Sequence, residues 1–297
     1  SENFAKGQRF GFFPSLAVGW LLSEEHFMEP YKLVLSKFKI RGSVGSVGND
    51  DIGGNRRFAY LTTVHTGANG YNFGYDGSTY FSGVEEGEVG VNDLTWERSL
   101  KANVGLELGL WNALNLQVDV FKERRTNIFM QRSTIPTQTG FLSIPYANYG
   151  KVDNQGLEAQ LSYSKRFNDN WSLSLRGTFT YAKNKIIEID EPETIKGTYR
   201  SITGKSIGTL WGLTAERLYT ADDFNPDGTL KAGIPVPSLG TAVRPGDIKY
   251  VDLSGDGKIN DVDEGYIGGT STPPCIYGFG GNLMFYGFDL NVFFQGQ

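Results

Sequence analysis

The sequence predicts an all-β protein, an antiparallel transmembrane β-barrel of which this chain supplies a part. Three observations predict it: strict period-two alternation, strand pairs joined by tight breaks but separated by long connections, and a composition too polar for membrane helices. The alternation is clearest from Leu100 to Lys122. Leu100, Ala102, Val104, Leu106, Leu108 and Leu110 alternate with Lys101, Asn103, Gly105, Glu107 and Gly109. After the break Trp111-Asn112-Ala113 the pattern resumes with Leu114, Leu116, Val118 and Val120 against Asn115, Gln117, Asp119 and Phe121. Side chains of a strand point alternately to opposite faces, so this hairpin has one aliphatic and one polar face. Each strand has about ten residues, enough to cross hydrocarbon when tilted.

Composition sets the bounds. The 297 residues include 39 glycines and 13% aromatics, with only 39% hydrophobic residues, and mean hydropathy is -0.31. A barrel wall faces lipid on one side and water on the other, so its average hydropathy resembles that of a soluble protein. No run of eighteen apolar residues occurs, which removes transmembrane helices and leaves the barrel untouched. A net charge of -5 argues against nucleic acid as a partner. The single Cys275 excludes an intrachain disulfide. The chain opens on Ser1 and stops at Gln297 while Phe288, Leu290, Val292 and Phe294 still alternate, so it reads as a piece of a longer protein.

A first strand follows Pro14 within residues 11–22, and Ser23-Glu24-Glu25-His26 closes it. In Leu33 to Val44, Phe38, Ile40 and Val44 oppose Lys37, Lys39, Arg41 and Ser43, placing the basic residues on the polar face. Residues 49–54 break the pattern, and Phe58 to Val64 reads as another strand. A long irregular connection, 65–95, is rich in Gly, Asn and Tyr and acidic at Glu85, Glu86 and Glu88. The hairpin of 96–125 and a second connection, 126–150, come next. Leu157, Ala159, Leu161 and Tyr163 then alternate with polar residues, turn at Asn168-Asp169-Asn170, and return through Leu173, Leu175, Phe179 and Tyr181. After a third connection, 183–272, a last hairpin runs from Tyr277 through the turn Tyr286-Gly287 to Phe288. Short turns at one end and long loops at the other are the asymmetry of outer-membrane barrels. Trp20, Trp96, Trp111, Trp171 and Tyr286 lie near strand ends, as interfacial girdles do; a sandwich core is the competing explanation.

One local motif is sharp. Asp252, Ser254, Asp256, Lys258, Asn260 and Asp263 occupy positions one, three, five, seven, nine and twelve of a calcium loop, with Gly257 at the sixth, where Lys258 would contribute its carbonyl. Ser254 and Asp263 depart from the usual Asp/Asn and Glu, and helical flanks are missing. An Asx-rich turn held by its own side-chain to backbone bonds competes equally with an occupied calcium site. His26 and His65 lack ligand spacing, and neither a nucleophile elbow nor a phosphate loop is present, so no catalytic residues are assigned.

The order of segments resembles the SusC/RagA-like TonB-dependent outer-membrane transporters. The resemblance rests on Phe12-Phe13-Pro14-Ser15 with Gly19-Trp20 and Ser23-Glu24-Glu25, on Tyr149-Gly150 through Gly156-Leu157-Glu158, on Gly246-Asp247-Ile248-Lys249-Tyr250-Val251-Asp252 through Gly255-Asp256-Gly257-Lys258-Ile259, and on Tyr277-Gly278-Phe279 and Gly287-Phe288-Asp289-Leu290 before Phe293-Phe294-Gln295-Gly296. It implies a large plugged barrel in the outer membrane of a Gram-negative bacterium. It also implies import of oligosaccharides or peptides, a SusD-like surface lipoprotein as cap, and energy from the TonB complex. The N-terminal plug and the final strands are expected outside this chain, which by itself would neither close nor transport. In the long loops Tyr71, Tyr75, Tyr80 and, more weakly, Trp211 are the candidate ligand contacts, because sugar rings stack on aromatic faces. Packing of these residues against other loops or a capping partner is the plainer role. The alternative function is a soluble, secreted β-sandwich that binds glycans and carries a structural calcium loop.

Overall fold

The computed structural model describes residues 1–53, 56–238, 240 and 242–297; Gly54, the last residue of the expected break at 49–54, lies outside them. In chain order the strands are β1 (Ser15–Leu21), β2 (Leu35–Asn49), β3 (Val64–Phe73), β4 (Thr79–Glu86), β5 (Glu97–Leu110), β6 (Leu114–Gln131), β7 (Tyr146–Asn168) and β8 (Trp171–Glu188). Six short strands follow: β9 (Thr209–Gly212), β10 (Ala215–Leu218), β11 (Val236–Pro237), β12 (Ile248–Tyr250), β13 (Lys258–Ile259) and β14 (Gly265–Thr270). The chain ends with β15 (Cys275–Phe285) and β16 (Phe288–Gly296).

Eight strands form one antiparallel sheet in the order β1-β2-β5-β6-β7-β8-β15-β16. Its register explains the alternation. Val18, Gly42, Val104, Val120, Leu157, Tyr181 and Cys275 pair in one row across seven strands. One residue along, Gly19, Arg41, Gly105, Asp119, Glu158 and Thr180 form the next row. Because the side-chain period is two, a slip of one residue in any strand would put charges into the apolar row, and this specifies the register strongly. Mid-strand, Val104 and Val120 stay 62% and 52% exposed. A sheet with a contiguous apolar face bare of protein is built to meet hydrocarbon. It is an open stretch of transmembrane barrel wall.

The bare apolar face also speaks against the sandwich alternative. A sandwich needs a second sheet over the apolar face, and among the described residues the only other sheets are two-stranded ribbons: β3 with β4, β9 with β14, β10 with β12, and β11 with β13. The aromatic residues at the short-turn end are likewise no core. Trp111 and Tyr286 are 59% and 62% exposed, the Trp20 indole N–H donates to Glu25 at 2.8 Å, and Trp171 packs on Phe285 with ring centroids 4.1 Å apart. An apolar ring with a wet polar edge suits the interface between lipid and water.

Tight turns at 111–113, 169–170 and 286–287 lie at one end of the sheet, where β1 also passes to β2 through two short 3₁₀ turns; the connections 50–96, 132–145 and 189–274 all leave from the other. Two tight turns are built from left-handed residues. Trp111 and Asn112 have φ of 54° and 51°, and Tyr286 and Gly287 have 47° and 84°, the handedness that matches the twist of paired strands.

At the long-connection end Phe4, Ile52, Val91 and Leu94 form a buried cluster, with Ala59, Trp96, Phe129 and Tyr146 packed against it. This cluster accounts for a difference from expectation. The apolar run from Phe58 is no strand: Phe58 adopts a left-handed φ of 56°, residues 59–60 turn, and pairing begins only at Val64. A second difference lies in 65–95, expected to be irregular, where β3 and β4 form a ribbon. The chain divides into two compact units, the sheet unit of Ser1–Asp190 with Pro274–Gln297, and a second unit of Glu191–Pro273 inserted between β8 and β15. The second unit carries its own buried residues, Tyr219, Ile259 and Asp263.

Candidate functional site

The polar face of the sheet is the wall of the barrel interior, and its charges are organised. On β2, Arg41 donates to Asp119 of β6 at 2.6 Å and to Glu107 of β5 at 3.2 Å. Lys37 lies 2.6 Å from the same Glu107, and Gln117 donates to Asp119 at 3.1 Å. Asp119 is 7% exposed, so its charge needs the guanidinium beside it. Gly105 makes the crossing possible: a Cβ there would stand 2.7 Å from Asp119 Oδ1 and 2.8 Å from Arg41 Cζ. Lys37, Lys39 and Arg41 are placed on the polar face by their alternation. Their acidic partners were not singled out from sequence, although Glu107 and Asp119 stand in the matching phase of the adjoining strands.

Tyr71, Tyr75 and Tyr80 all lie on the β3–β4 ribbon. Tyr71 pairs with Phe81 and Asn72 with Tyr80, so Tyr71 and Tyr80 point to opposite faces. On one face Tyr71, Phe73 and Phe81 stack edge to face at 5.5 and 5.6 Å. On the other, the Tyr80 hydroxyl accepts the Gly70 N–H at 2.9 Å, which braces the ribbon. Tyr75, in the connection between the strands, is fully exposed. The ribbon thus presents two aromatic surfaces rather than one converging site.

The 132–145 connection is fastened to the end of β8. Asp190 accepts the backbone N–H groups of Ser133 and Thr134 at 2.6 and 3.0 Å and the Thr134 hydroxyl at 2.8 Å, with Arg132 Nε 3.0 Å away. Burial pushes the Asp190 carboxyl up, but Arg132 and these donors outweigh it and hold it far below the usual carboxylate range.

In the 191–273 unit, Trp211 lies half-buried on β9 opposite Tyr266 of β14. Arg217 grips Asp223 with two bonds of 2.6 Å. The 252–263 loop folds on itself. Asp252 accepts the Gly255 and Gly257 N–H groups at 2.6 and 2.8 Å and the Ser254 hydroxyl at 3.1 Å. Asp256 accepts the Lys258 N–H at 2.8 Å, and Asn260 that of Val262 at 2.7 Å. Asp263, fully buried, accepts the Ser254 and Asn260 N–H groups at 2.9 and 3.0 Å. Burial raises its carboxyl pKa and these amides lower it, with a net fall. Among the described residues no three His, Cys, Asp or Glu side chains are grouped to hold a metal ion; the serine, asparagine and carbonyl oxygens of the loop are further donors beside its carboxylates.

Comparison with known proteins fits this architecture. The profile of the family described as TonB dependent receptor-like, beta-barrel matches residues 1–290. TonB-dependent receptor P3 of Formosa agariphila is 27% identical over 307 aligned residues, covering 99% of this chain and 29% of that protein. TonB-dependent receptor SusC of Bacteroides thetaiotaomicron is 26% identical over 98% of this chain and 28% of its own length. The RagAB peptide importer superposes in its closed-closed state with a TM-score of 0.70 and 19% identity, and in its open-open state with 0.71 and 20%, over 99% of this chain. The chain therefore spans about 30% of the length of the proteins it resembles. The members of this family are transporters and receptors of the outer membrane. From a wall with opposed lipid and water faces, long connections gathered at one end, and a family match over nearly its whole length, the chain belongs to the TonB-dependent receptor-like β-barrels.

Proposed function

We propose that this chain is the wall segment, with its outward connections, of an outer-membrane importer that takes up a bulky hydrated nutrient, an oligosaccharide first and a peptide second. One observation carries the reading: the sheet's inner face is lined with paired charges and amides, while the connections at its far end present exposed aromatic rings. A hydrated ligand needs both, hydrogen-bonding groups along the passage and ring faces at the entrance. Energy from the TonB complex and a SusD-like lipoprotein at the surface belong to this proposal, supported by the relatives named SusC and RagAB. Localisation in a Gram-negative outer membrane is part of the same reading.

The test uses the full-length protein extracted from its own outer membrane, titrated with oligosaccharides and with peptides of matched size. If Tyr71, Tyr75, Tyr80 and Trp211 meet the ligand, each alanine variant weakens binding by about 0.5–1.5 kcal/mol, roughly two- to tenfold. Unchanged affinity in all four would remove these residues from the site. Binding of peptides but no oligosaccharides would reverse the order of substrates.

A further inference from the structure

We infer that the unit Glu191–Pro273 turns as one body on two short pivots, at the Asp190–Glu191 bond and within the stretch Ser271–Pro274. The chain passes between the two compact units only at these places. Clamps stand on both sides of the first. Asp190, 6% exposed, is held to the sheet unit by Ser133, Thr134 and Arg132. Glu191, 7% exposed, is held within its own unit by the Ser201 hydroxyl at 2.8 Å, the Ile202 N–H at 2.7 Å and the Thr203 hydroxyl at 2.9 Å. Two consecutive buried carboxylates are thus tied to different units. The peptide between them is planar, which leaves ψ of Asp190 and φ of Glu191 as the soft torsions. Pro192 confines the next one, ψ of Glu191, to extended values.

The second crossing is built alike. Ser271 donates to Gly208 at 2.8 Å on one side, and Pro274 accepts the Ala182 N–H of β8 at 2.8 Å on the other. Both prolines have a φ fixed at about −65° and each confines the ψ of the residue before it to extended values, so ψ of Ser271 and φ of Thr272 are the torsions left to turn. Inside the unit, the β9–β14 and β10–β12 ribbons, the Arg217–Asp223 pair and the buried Ile259 and Tyr219 resist bending. A body that is firm inside, and clamped up to the residues where it joins, concentrates motion in those few torsions, as hinges do. This holds whatever ligand the protein takes, so it stands apart from the import reading.

The test is a pair of distance distributions between nitroxide labels on the full-length protein in lipid nanodiscs, with native cysteines, Cys275 included, replaced by serine. Asp169→Cys with Lys231→Cys spans the two units, and Arg200→Cys with Lys231→Cys lies within one. The within-unit distribution is expected to be narrow, and the spanning one at least twice as wide. Asp190→Ala should widen the spanning distribution further and leave the within-unit one alone; Thr134→Val, a gentler loosening of the same clamp, serves if Asp190→Ala does not assemble. Equal widths for the two pairs would overturn the pivots, and a broad within-unit distribution would overturn the single body.

Discussion

Arginine at position 104 puts a charge where the structure requires hydrocarbon. Val104 lies six residues before the end of β5 at Leu110, which at about 3.4 Å per residue and a tilt near 40° is roughly 16 Å from the short-turn end. The apolar band of such a barrel is about 25 Å tall, so this is close to its midplane, where an arginine on the lipid face costs about 2–4 kcal/mol. That is roughly a thirtyfold to thousandfold change in the folding equilibrium. Asn103, the next residue, pairs with Ser43 and Phe121 on the water-facing side, and arginine there is expected to cost less than about 1 kcal/mol. Urea-dependent folding of the full-length protein into lipid vesicles compares the two variants directly. Equal costs at 103 and 104, or a greater cost at 103, would refute the assignment of the faces.

Other perturbations reach particular contacts. Gly105→Ala drives a Cβ against Asp119 and Arg41 and should destabilise the barrel by about 1–3 kcal/mol; a thermal unfolding midpoint equal to wild type would show that the crossing has room. Asp190 is held below its unfolded pKa of about 3.9, so between the two values the unfolded chain binds more protons and stability rises with pH. Its contribution is complete above the unfolded value and is lost only as pH falls through the folded one. Hydrogen exchange over 132–145 should therefore stay protected on acidification to about pH 4, and Asp190→Asn should weaken that protection at neutral pH; indifference to Asp190→Asn would mean that other contacts hold the connection. In the 252–263 loop the carboxylates already accept the loop's own N–H groups, so chelating calcium is expected to leave exchange over 246–266 unchanged. Loosening there on chelation would show that the cation is structural.

How much could be read from the sequence depended on the solvent each residue meets. Along Leu100–Leu110 and Leu114–Val120 the alternation is strict because a single polar residue on the lipid face is costly, and the strands and the turn between them were legible there. β7 begins at Tyr146, well before the clean pattern starts at Leu157, because the residues just before Leu157 pair with Lys122, Glu123, Arg124 and Arg125 of β6, a charged stretch that imposes no apolar phase. The β3–β4 ribbon is exposed on both faces, so no apolar phase is imposed on it either. Phe58-Ala59-Tyr60-Leu61 imitates a strand, but the run serves a small cluster around Leu94 and turns instead. At the candidate site, the spacing from Asp252 to Asp263 marked a loop of oxygen donors and left a self-braced turn and an occupied cation site equally open. The choice between them depends on backbone torsions that spacing does not encode. Sequence placed the three tyrosines in one long connection, whereas the division of Tyr71 and Tyr80 between the faces of a ribbon depends on strand pairing with shifts between His65 and Tyr71.

The central claim is that this sheet separates lipid from water residue by residue. The direct measurement is a nitroxide scan along 114–122 in the full-length protein in bilayers, recording collision with oxygen and with a water-soluble nickel complex. The account predicts high oxygen accessibility at Leu114, Leu116, Val118 and Val120 and high nickel accessibility at Asn115, Gln117 and Asp119, alternating at every step. Nickel accessibility that is equal in both phases would contradict it.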